Sequence, residues 1–252
     1  MGGLRRAIAS GGALGTIVYG VWVRKERPLH LVWDLDHTLL CSMSPISKAP
    51  PGLKRGSFFD QIDDDFKAEA GQPNTRTAWR PGARFGLRVL SLFATQHVYT
   101  AAQGTYTANI MREVERAPCV VRGLCDALPF ATVLHRDLVP HHDHHTTPDV
   151  ARGKDVRRVV GSTDEALARV ILFDDRVANF EPQPRNGVHV RPFRAADVEF
   201  GGDREFLRLA AIALVAFFAP DVRPVLAWFR TARLEELVAA AADDAAAIKD
   251  VK

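Results

Sequence analysis

Two apolar stretches that lie far apart in the sequence each end in a pair of aspartates. The stretch LHLVWDLD places Asp34 and Asp36 at the end of a strand-like run, and RVILFDD ends in Asp174 and Asp175. Short continuous apolar runs are typical of central strands in a sheet that is covered on both faces. The carboxyl ends of neighbouring parallel strands meet at one edge of such a sheet, where ligands bind. The two runs therefore predict an α/β fold that gathers four acidic side chains in one small volume.

Four carboxylates in one place require a cation. Like charges repel each other, and each charge loses hydration when it is buried. Hard carboxylate oxygens are the ligands that Mg²⁺ prefers in proteins. We therefore predict a Mg²⁺ site formed by Asp34, Asp36, Asp174 and Asp175.

Strand-like and helix-like segments alternate along the chain, which predicts a mainly parallel sheet flanked by helices. The predicted strands are LHLVWD (29–34), TAW before a turn at Pro81-Gly82, HVYT (97–100), FATVLHRD (130–137), RVILFDD (169–175) and GVHVRPF (187–193). The predicted helices are ARFGLRVLSLFA, TYTANIMREVER with Thr105 as its cap, the apolar segment that ends at Pro220, and a tail that includes ELVAAAADDAAA.

Two polar segments have no clear periodicity. Residues 41–75 are rich in Pro, Gly, Ser and Asp, and we expect a loop or a small insertion over the site, with DQIDDDF as a solvated acidic turn. The run HHDHH (141–145) suggests zinc because imidazole is a common ligand. Adjacent histidines in a loop seldom present the tetrahedral geometry that zinc prefers, so we expect a solvated loop there.

The amino-terminal segment differs from the rest of the chain. Residues 7–23 carry no charge and lie between two basic clusters. Such a length is at the lower edge of the roughly 17–25 residues that span a bilayer. A short membrane anchor, a targeting segment and a flexible Gly-rich tail all remain open interpretations. We predict boundaries that separate this segment (1–28) from a central domain (29–229) and a helical tail (230–252).

Charge and cysteine content narrow the class of protein. A formal net charge of +3 is too small to indicate nucleic-acid binding. The three cysteines have no CxxC spacing, which favours a reducing compartment over a disulfide framework.

Several motifs in a fixed order carry a resemblance to a known family. DLDHTL resembles the first motif of the haloacid-dehalogenase superfamily of aspartyl-phosphate phosphohydrolases. The later motifs resemble those of the phosphatases that act on the RNA polymerase II C-terminal domain, including the small C-terminal-domain phosphatases and the Dullard-like phosphatases. These motifs are WRPG, VYTAAQGTY, LHRD, GKDVRRVV and FDD. The resemblance covers about residues 29–229. It implies a Rossmannoid sheet with a small insertion between the first and second motifs instead of a large cap.

The resemblance also implies residue roles. Asp34 corresponds to the nucleophile and Asp36 to the general acid and base, so that one difficult displacement becomes two easier ones. Lys154 corresponds to the lysine that neutralises charge on the nucleophile and the phosphate. His37 stands where the closest relatives carry an acidic residue, and we expect no loss of chemistry from it. The implied phosphate-binding residues are Thr38, Thr100, Arg136 and Lys154.

The predicted function is a Mg²⁺-dependent phosphatase that acts on phosphoserine or phosphothreonine in proteins, without direct nucleic-acid binding. The short interval between the first two motifs is consistent with an open groove for a peptide. Two alternatives stay open: a phosphatase of a small phosphorylated metabolite, and a docking protein similar to a mitochondrial import receptor of this fold. Retention of the motif aspartates and Lys154 favours an enzyme, because a docking surface has no use for a repulsive acidic cluster.

Overall fold

The structure is a computed structural model, and it describes residues 28–43, 62–66, 75–115, 130–138, 153–194, 197 and 203–231. The apolar segment 7–23, the His-rich run 141–145 and the predicted helical tail beyond residue 231 lie outside the described residues.

The described strands form two separate sheets. They are β1 (Leu29–Trp33), β2 (Leu40–Met43), β3 (Ile62–Phe66), β4 (Thr75–Trp79), β5 (Ala94–Tyr99), β6 (Phe130–Leu134), β7 (Val170–Asp174) and β8 (Gly187–His189). The central sheet has the order β6-β5-β1-β7-β8, and all four of its pairings are parallel. The predicted parallel sheet with flanking helices is confirmed.

Apolar packing on both faces explains why β1 and β7 occupy the centre of the sheet. Every residue of β7 is buried, as is all of β1 except the half-buried His30. The rings of Trp33 and Phe173 stack across the two strands at 4.3 Å, and Phe206 packs 5.9 Å from Trp33. A smaller apolar cluster that includes Tyr99 and Leu172 lies apart from this main core.

The described helices are α1 (Ala83–Leu90), α2 (Gly104–Glu115), α3 (Arg157–Val160), α4 (Asp164–Leu167), α5 (Glu205–Phe218) and α6 (Val222–Thr231), with 3-10 helices at Arg136–Leu138 and Val177–Phe180. The strongly apolar α5 packs against β1, α1 and α6. Within the part of the chain that the structure describes, every helix is too short or too polar to cross a membrane.

Several predicted boundaries are wrong: the strand FATVLHRD ends at Leu134, and the helix ARFGLRVLSLFA ends at Leu90. Thr105 is not a helix cap, because α2 already begins at Gly104, whose amide donates to Asp137 Oδ2 at 2.8 Å. The last strand ends at His189 and does not continue to Phe193. The chain leaves the sheet there because the amide of Phe193 donates to the His37 carbonyl at 2.7 Å instead of pairing with β7.

The segment between the first two motifs contains a small antiparallel sheet with the order β2-β4-β3. A small insertion in this segment is confirmed, but the acidic stretch IDDDF is strand β3, and the prediction of a turn there is wrong. Ile62 pairs with Ala78 and Asp63 with Thr77 of β4, so the β4 backbone provides hydrogen-bond partners that outweigh the low strand propensity of aspartate.

Candidate active site

The carboxyl ends of β1 and β7 bring the first and last motifs together. Asp34 follows β1 directly, and its amide donates to the Phe173 carbonyl at 3.0 Å. Asp174 is the last residue of β7 and is fully buried, while Asp34 is 6% exposed. Parallel pairing of the two strands therefore places both carboxylates at the same edge of the sheet.

Lys154 lies between these two carboxylates. Its Nζ is 2.5 Å from Asp34 Oδ1 and 2.7 Å from Asp174 Oδ2, and the residue is 1% exposed. Gly153, which directly precedes Lys154, has a φ of +120°. A Cβ atom at residue 153 would lie 2.9 Å from the Ala178 carbonyl oxygen. A side chain at residue 153 is therefore excluded by both conformation and space.

Three carboxylates can converge on one cation. Ligand atoms of Asp34, Asp174 and Asp175 all lie within 4.8 Å of one another. Their hard oxygen donors suit Mg²⁺, and three negative charges exceed the single positive charge of Lys154. The carboxylate of Asp36, which the sequence also assigned to the metal, is not a member of this three-carboxylate group.

Asp174 is also fixed by neighbours that the sequence analysis missed. Asn179 Nδ2 donates to both of its carboxylate oxygens, at 2.8 and 2.9 Å, and the amide of Arg176 donates to Oδ1 at 2.8 Å. Asn179 belongs to the 3-10 helix that follows β7, so its role depends on a turn that no sequence pattern indicated.

Asp36 faces a different partner, the Tyr106 hydroxyl of α2, which donates to its Oδ1 at 2.9 Å. Burial raises the pKa of Asp36 above its ordinary value, although the Tyr106 hydrogen bond and nearby His37 and Lys154 lower it in part. Tyr106 is the last residue of the VYTAAQGTY motif, but its contact with Asp36 depends on how α2 packs.

A tight loop holds Asp34, Asp36 and Thr38. The Leu35 carbonyl accepts from the amides of Thr38, Leu39 and Leu40 at 2.9 to 3.2 Å. Thr38 is fully buried, and its Oγ1 is 3.5 Å from Asp34 Oδ2, which is a long hydrogen bond.

Thr100 and Arg136 occupy the loops after β5 and β6 at the same edge of the sheet. Thr100 is buried, and its Oγ1 accepts from the Ala102 amide at 3.1 Å. The amide of Arg136 donates to the Ala102 carbonyl at 3.0 Å, while the Arg136 side chain is exposed. Backbone hydrogen bonds thus fasten the two loops together.

Burial and crowding perturb the ionisation of the acidic group. Burial, followed by the charges of Asp174 and Asp36, raises the pKa of Asp34 to about 7, although Lys154 opposes this shift. The pKa of Asp175 is raised for the same reasons, burial and the neighbouring Asp174. Burial alone would lower the pKa of Lys154, but the charges of Asp34 and Asp174 outweigh it and the pKa is raised. The site therefore holds a charged lysine, and the carboxyl groups of Asp34 and Asp175 ionise less readily than in water.

Two solved structures are similar to the chain. The structure of Fcp1, an essential RNA polymerase II CTD phosphatase, is 20% identical with a TM-score of 0.47, over 85% of this chain and 55% of that one. A fission yeast RNA polymerase II CTD phosphatase Fcp1 variant bound to beryllium fluoride is 20% identical with a TM-score of 0.46, over 85% and 57%. The chain thus spans little more than half the length of these proteins. No curated protein sequence matches it significantly.

A family model covers most of the chain. The model of NLI interacting factor-like phosphatases matches residues 29–223, which include all the motifs from DLDHTL to FDD. The resemblance that the motifs indicated is thereby confirmed, and the chain belongs to the NLI interacting factor-like phosphatase family.

Proposed function

We propose that the protein is a Mg²⁺-dependent phosphatase that hydrolyses phosphoserine and phosphothreonine in proteins through an aspartyl-phosphate on Asp34. The observation that carries the proposal is the position of Lys154 Nζ, which bridges Asp34 and Asp174 inside a group of three carboxylates. An ammonium group in contact with the nucleophile is suited to stabilise negative charge that accumulates during phosphoryl transfer.

Asp34 attacks phosphorus in the first step. Lys154 engages Oδ1 of Asp34, whereas Oδ2 has the long contact from Thr38, so we assign the attack to Oδ2. A bond forms between Oδ2 and phosphorus as the bond from phosphorus to the serine or threonine oxygen breaks. Thr38, Thr100 and Arg136 bind phosphate oxygens in this proposal, with Arg136 reaching in from its exposed position.

Asp36 moves the proton in both steps. Its raised pKa favours the protonated form, which donates to the departing alkoxide. The resulting carboxylate then accepts a proton from the water that attacks the aspartyl-phosphate, which releases phosphate and restores both aspartates. Tyr106 holds Asp36 by the hydrogen bond to Oδ1 and so fixes the direction of transfer.

The residues present fit a magnesium ion. Asp34, Asp174 and Asp175 would hold it, because they offer three hard oxygen donors within 4.8 Å of one another. When bound, Mg²⁺ would supply electrostatic stabilisation of the phosphoryl oxygens. Asn179 and Arg176 keep the Asp174 carboxylate in place for this role.

A protein substrate is favoured by the small size of the insertion. The segment between β1 and β5 contributes a three-stranded sheet, and its length is too short for a large independent cap. An open groove admits an extended peptide, whereas a small metabolite is usually enclosed, since pockets bury most of a small ligand's surface.

The test uses the full chain and two classes of substrate. Hydrolysis of p-nitrophenyl phosphate is measured with Mg²⁺ and with EDTA, followed by a panel of phosphoserine and phosphothreonine peptides set against phosphorylated metabolites. We expect turnover that requires Mg²⁺, prefers the peptides and disappears in Asp34→Asn. The matched control is Asp164→Asn, which removes an exposed aspartate of α4 that pairs with Arg223.

Three results would contradict the proposal in different ways. No turnover above the Asp34→Asn background would favour a docking protein of the same fold. A preference for metabolites would contradict a protein substrate but would leave the proposed reaction mechanism unchanged. Undiminished turnover in EDTA would show that the reaction does not require Mg²⁺.

A further inference from the structure

Arg80, in the WRPG motif, is a buried arginine that none of the proposed chemical steps uses. The residue is fully buried between the end of β4 and the beginning of α1. Its Nη2 donates to two backbone carbonyls, that of His37 at 3.2 Å and that of Arg191 at 2.6 Å. Its own amide donates to the Leu39 carbonyl at 2.8 Å. Arg80 therefore joins the loop that carries Asp34 to the segment that follows β8.

The guanidinium is held from two further sides. Its Nε lies 3.8 Å from Asp203 Oδ2, and its central carbon lies 5.2 Å above the Phe193 ring. Asp203 is in turn fixed by Arg191 Nη2 at 3.0 Å. These contacts come from the segment after β8 and from the residues just before α5, so the guanidinium is held from outside the loop as well as by its hydrogen bonds to the loop.

His37, on the loop, adopts a conformation that needs external support. Its φ is +62°, and it is the non-glycine residue with positive φ among the described residues. A non-glycine residue in this left-handed region carries a conformational cost, and such a conformation persists when its surroundings over-determine it. Phe193 supplies part of the support, because its amide donates to the His37 carbonyl at 2.7 Å and its carbonyl lies 3.0 Å from His37 Nδ1. Arg80 adds to this support through the same His37 carbonyl.

The position of residue 37 determines the geometry of the catalytic carboxylates. Asp36 precedes it directly, and Asp34 and Thr38 belong to the same tight loop. A relaxation of His37 toward negative φ would rotate the peptide units on both sides and move Asp36 relative to Asp34. Transfer of a phosphoryl group and a proton needs both carboxylates in place, and a misplacement of about 1 Å can lower a rate about 10²-fold.

Stability alone does not account for a guanidinium at this place. Two nitrogens of Arg80, Nε and Nη1, lack a hydrogen-bond partner among the residues that the structure describes. Replacement of buried charged groups by well-packed apolar side chains is often neutral or stabilising. An apolar residue could fill the same space, but it could not donate to the carbonyls of His37 and Arg191.

We infer that Arg80 is a positioning residue of the proposed phosphatase, which fixes the left-handed His37 turn and through it the spacing of Asp34 and Asp36. This inference rests on the proposed function, because it concerns the same site. Arg80 touches none of the proposed substrate-binding residues, so its loss should lower kcat and leave KM nearly unchanged.

Arg169 provides a matched control. It is also buried, and its guanidinium donates to carbonyls at the end of α5, those of Ala216, Phe217 and Ala219. It precedes β7 and so lies at the opposite end of that strand from Asp174. Arg169→Met thus removes a buried guanidinium of the same kind without touching the loop of residues 35–40.

Two measurements test the inference in the full chain. We expect Arg80→Met to lower kcat about 10²-fold with little change in KM, and Arg169→Met to leave kcat within about threefold of the original, both measured where the variants are folded. Amide hydrogen exchange of residues 35–40 should accelerate about tenfold in Arg80→Met, the scale of one lost hydrogen bond to a charged group, and stay unchanged in Arg169→Met.

Arg80→Lys keeps the inference testable if Arg80→Met fails to fold. Lysine retains a cation beside Asp203, but a single ammonium lacks the planar fork that spans two carbonyls. We expect Arg80→Lys to fold and still lose kcat. Full kcat and unchanged exchange in the 35–40 loop would overturn the inference. If the unaltered chain shows no turnover, the proposed function fails, and the exchange measurement alone then decides the role of Arg80.

Discussion

The central sheet buries titratable side chains in two regions, and the two regions balance charge by opposite means. At the carboxyl ends of β1 and β7, Lys154 lies between the carboxylates of Asp34 and Asp174, so opposite charges are buried together. Within the strands themselves, His30 of β1 and His97 of β5 stack at 5.2 Å and share a hydrogen bond of 3.0 Å.

The ionisation of the two regions differs accordingly. Burial lowers the pKa of His97 to about 4, with a smaller contribution from His30, and burial also lowers the pKa of His30. The pair is therefore neutral near pH 7. In the acidic region, by contrast, the charges of Asp34 and Asp174 keep the Lys154 pKa raised despite its burial. Burial favours the neutral form of a group that has no counter-charge nearby. A group in contact with an opposite charge stays ionised despite its burial.

The largest expected effect is the loss of Asp34, the proposed nucleophile. Asp34→Asn preserves the shape of the side chain but not its charge, and we expect phosphatase turnover to fall about 10⁴-fold or more. Steady-state hydrolysis of p-nitrophenyl phosphate in Mg²⁺ measures this change. Retained turnover would show that Asp34 is not the attacking group and would contradict the proposed catalytic role of the acidic region.

Lys154→Met tests the charge balance of the acidic region directly. Removing one charged group from a buried pair leaves the other uncompensated, which costs about 3–5 kcal/mol. We also expect kcat to fall about 10²–10³-fold through loss of electrostatic stabilisation. Urea unfolding with and without Mg²⁺ measures the first effect, which should shrink when the metal is present. Equal destabilisation with and without Mg²⁺ would argue that the metal does not share the charge of this group.

The histidine pair predicts a pH-dependent stability. The unfolded chain binds a proton to His97 near pH 6.5, whereas the folded chain does so only near pH 4, so stability should fall as the pH drops through that window. The loss attributable to His97 is at most about 3 kcal/mol.

Urea unfolding at pH values between 4 and 7 measures this dependence. His97→Phe should flatten the curve in that window. If the pH dependence of the free energy of unfolding is unchanged in His97→Phe, other groups titrate in that window. The proposed difference between the two regions would then be wrong.

Tyr106→Phe is the smallest expected change. It removes the hydroxyl that donates to Asp36 Oδ1 and keeps the ring in α2. We expect kcat to fall about tenfold and the free energy of unfolding to change by about 1 kcal/mol or less. Steady-state kinetics and urea unfolding of the same preparation separate the two effects. A kcat equal to that of the unaltered chain would mean that Asp36 is oriented by the loop alone.

The sequence predicted the sheet and its acidic edge because these depend on local pattern. The apolar runs before Asp34 and Asp174 are short and continuous, which favours buried strands, and neighbouring parallel strands end at a common edge. The prediction of β3 failed for the complementary reason. Ile62–Phe66 has the composition of a turn, and only the backbone of β4 beside it made it a strand.

The candidate site divides in the same way. The motif residues Asp34, Asp36 and Lys154 were identified from local sequence, because each motif is short and its residue types are specific to the chemistry. Asn179 and Tyr106 were not assigned roles, because asparagine and tyrosine are common in turns and helices. Their significance comes from contacts with Asp174 and Asp36 across the fold.

The amino-acid sequence by itself thus determined the fold class, the family and the acidic motifs, since periodicity and motif order are properties of the chain alone. Only the tertiary structure decided which carboxylates lie together and which lie apart. Asp34, Asp174 and Asp175 converge, with Lys154 between the first two, whereas Asp36 accepts a hydrogen bond from Tyr106 of α2. That difference arises from the left-handed turn at His37 and from the packing of Arg80 and Phe193 against it, which are long-range contacts that a local pattern does not encode.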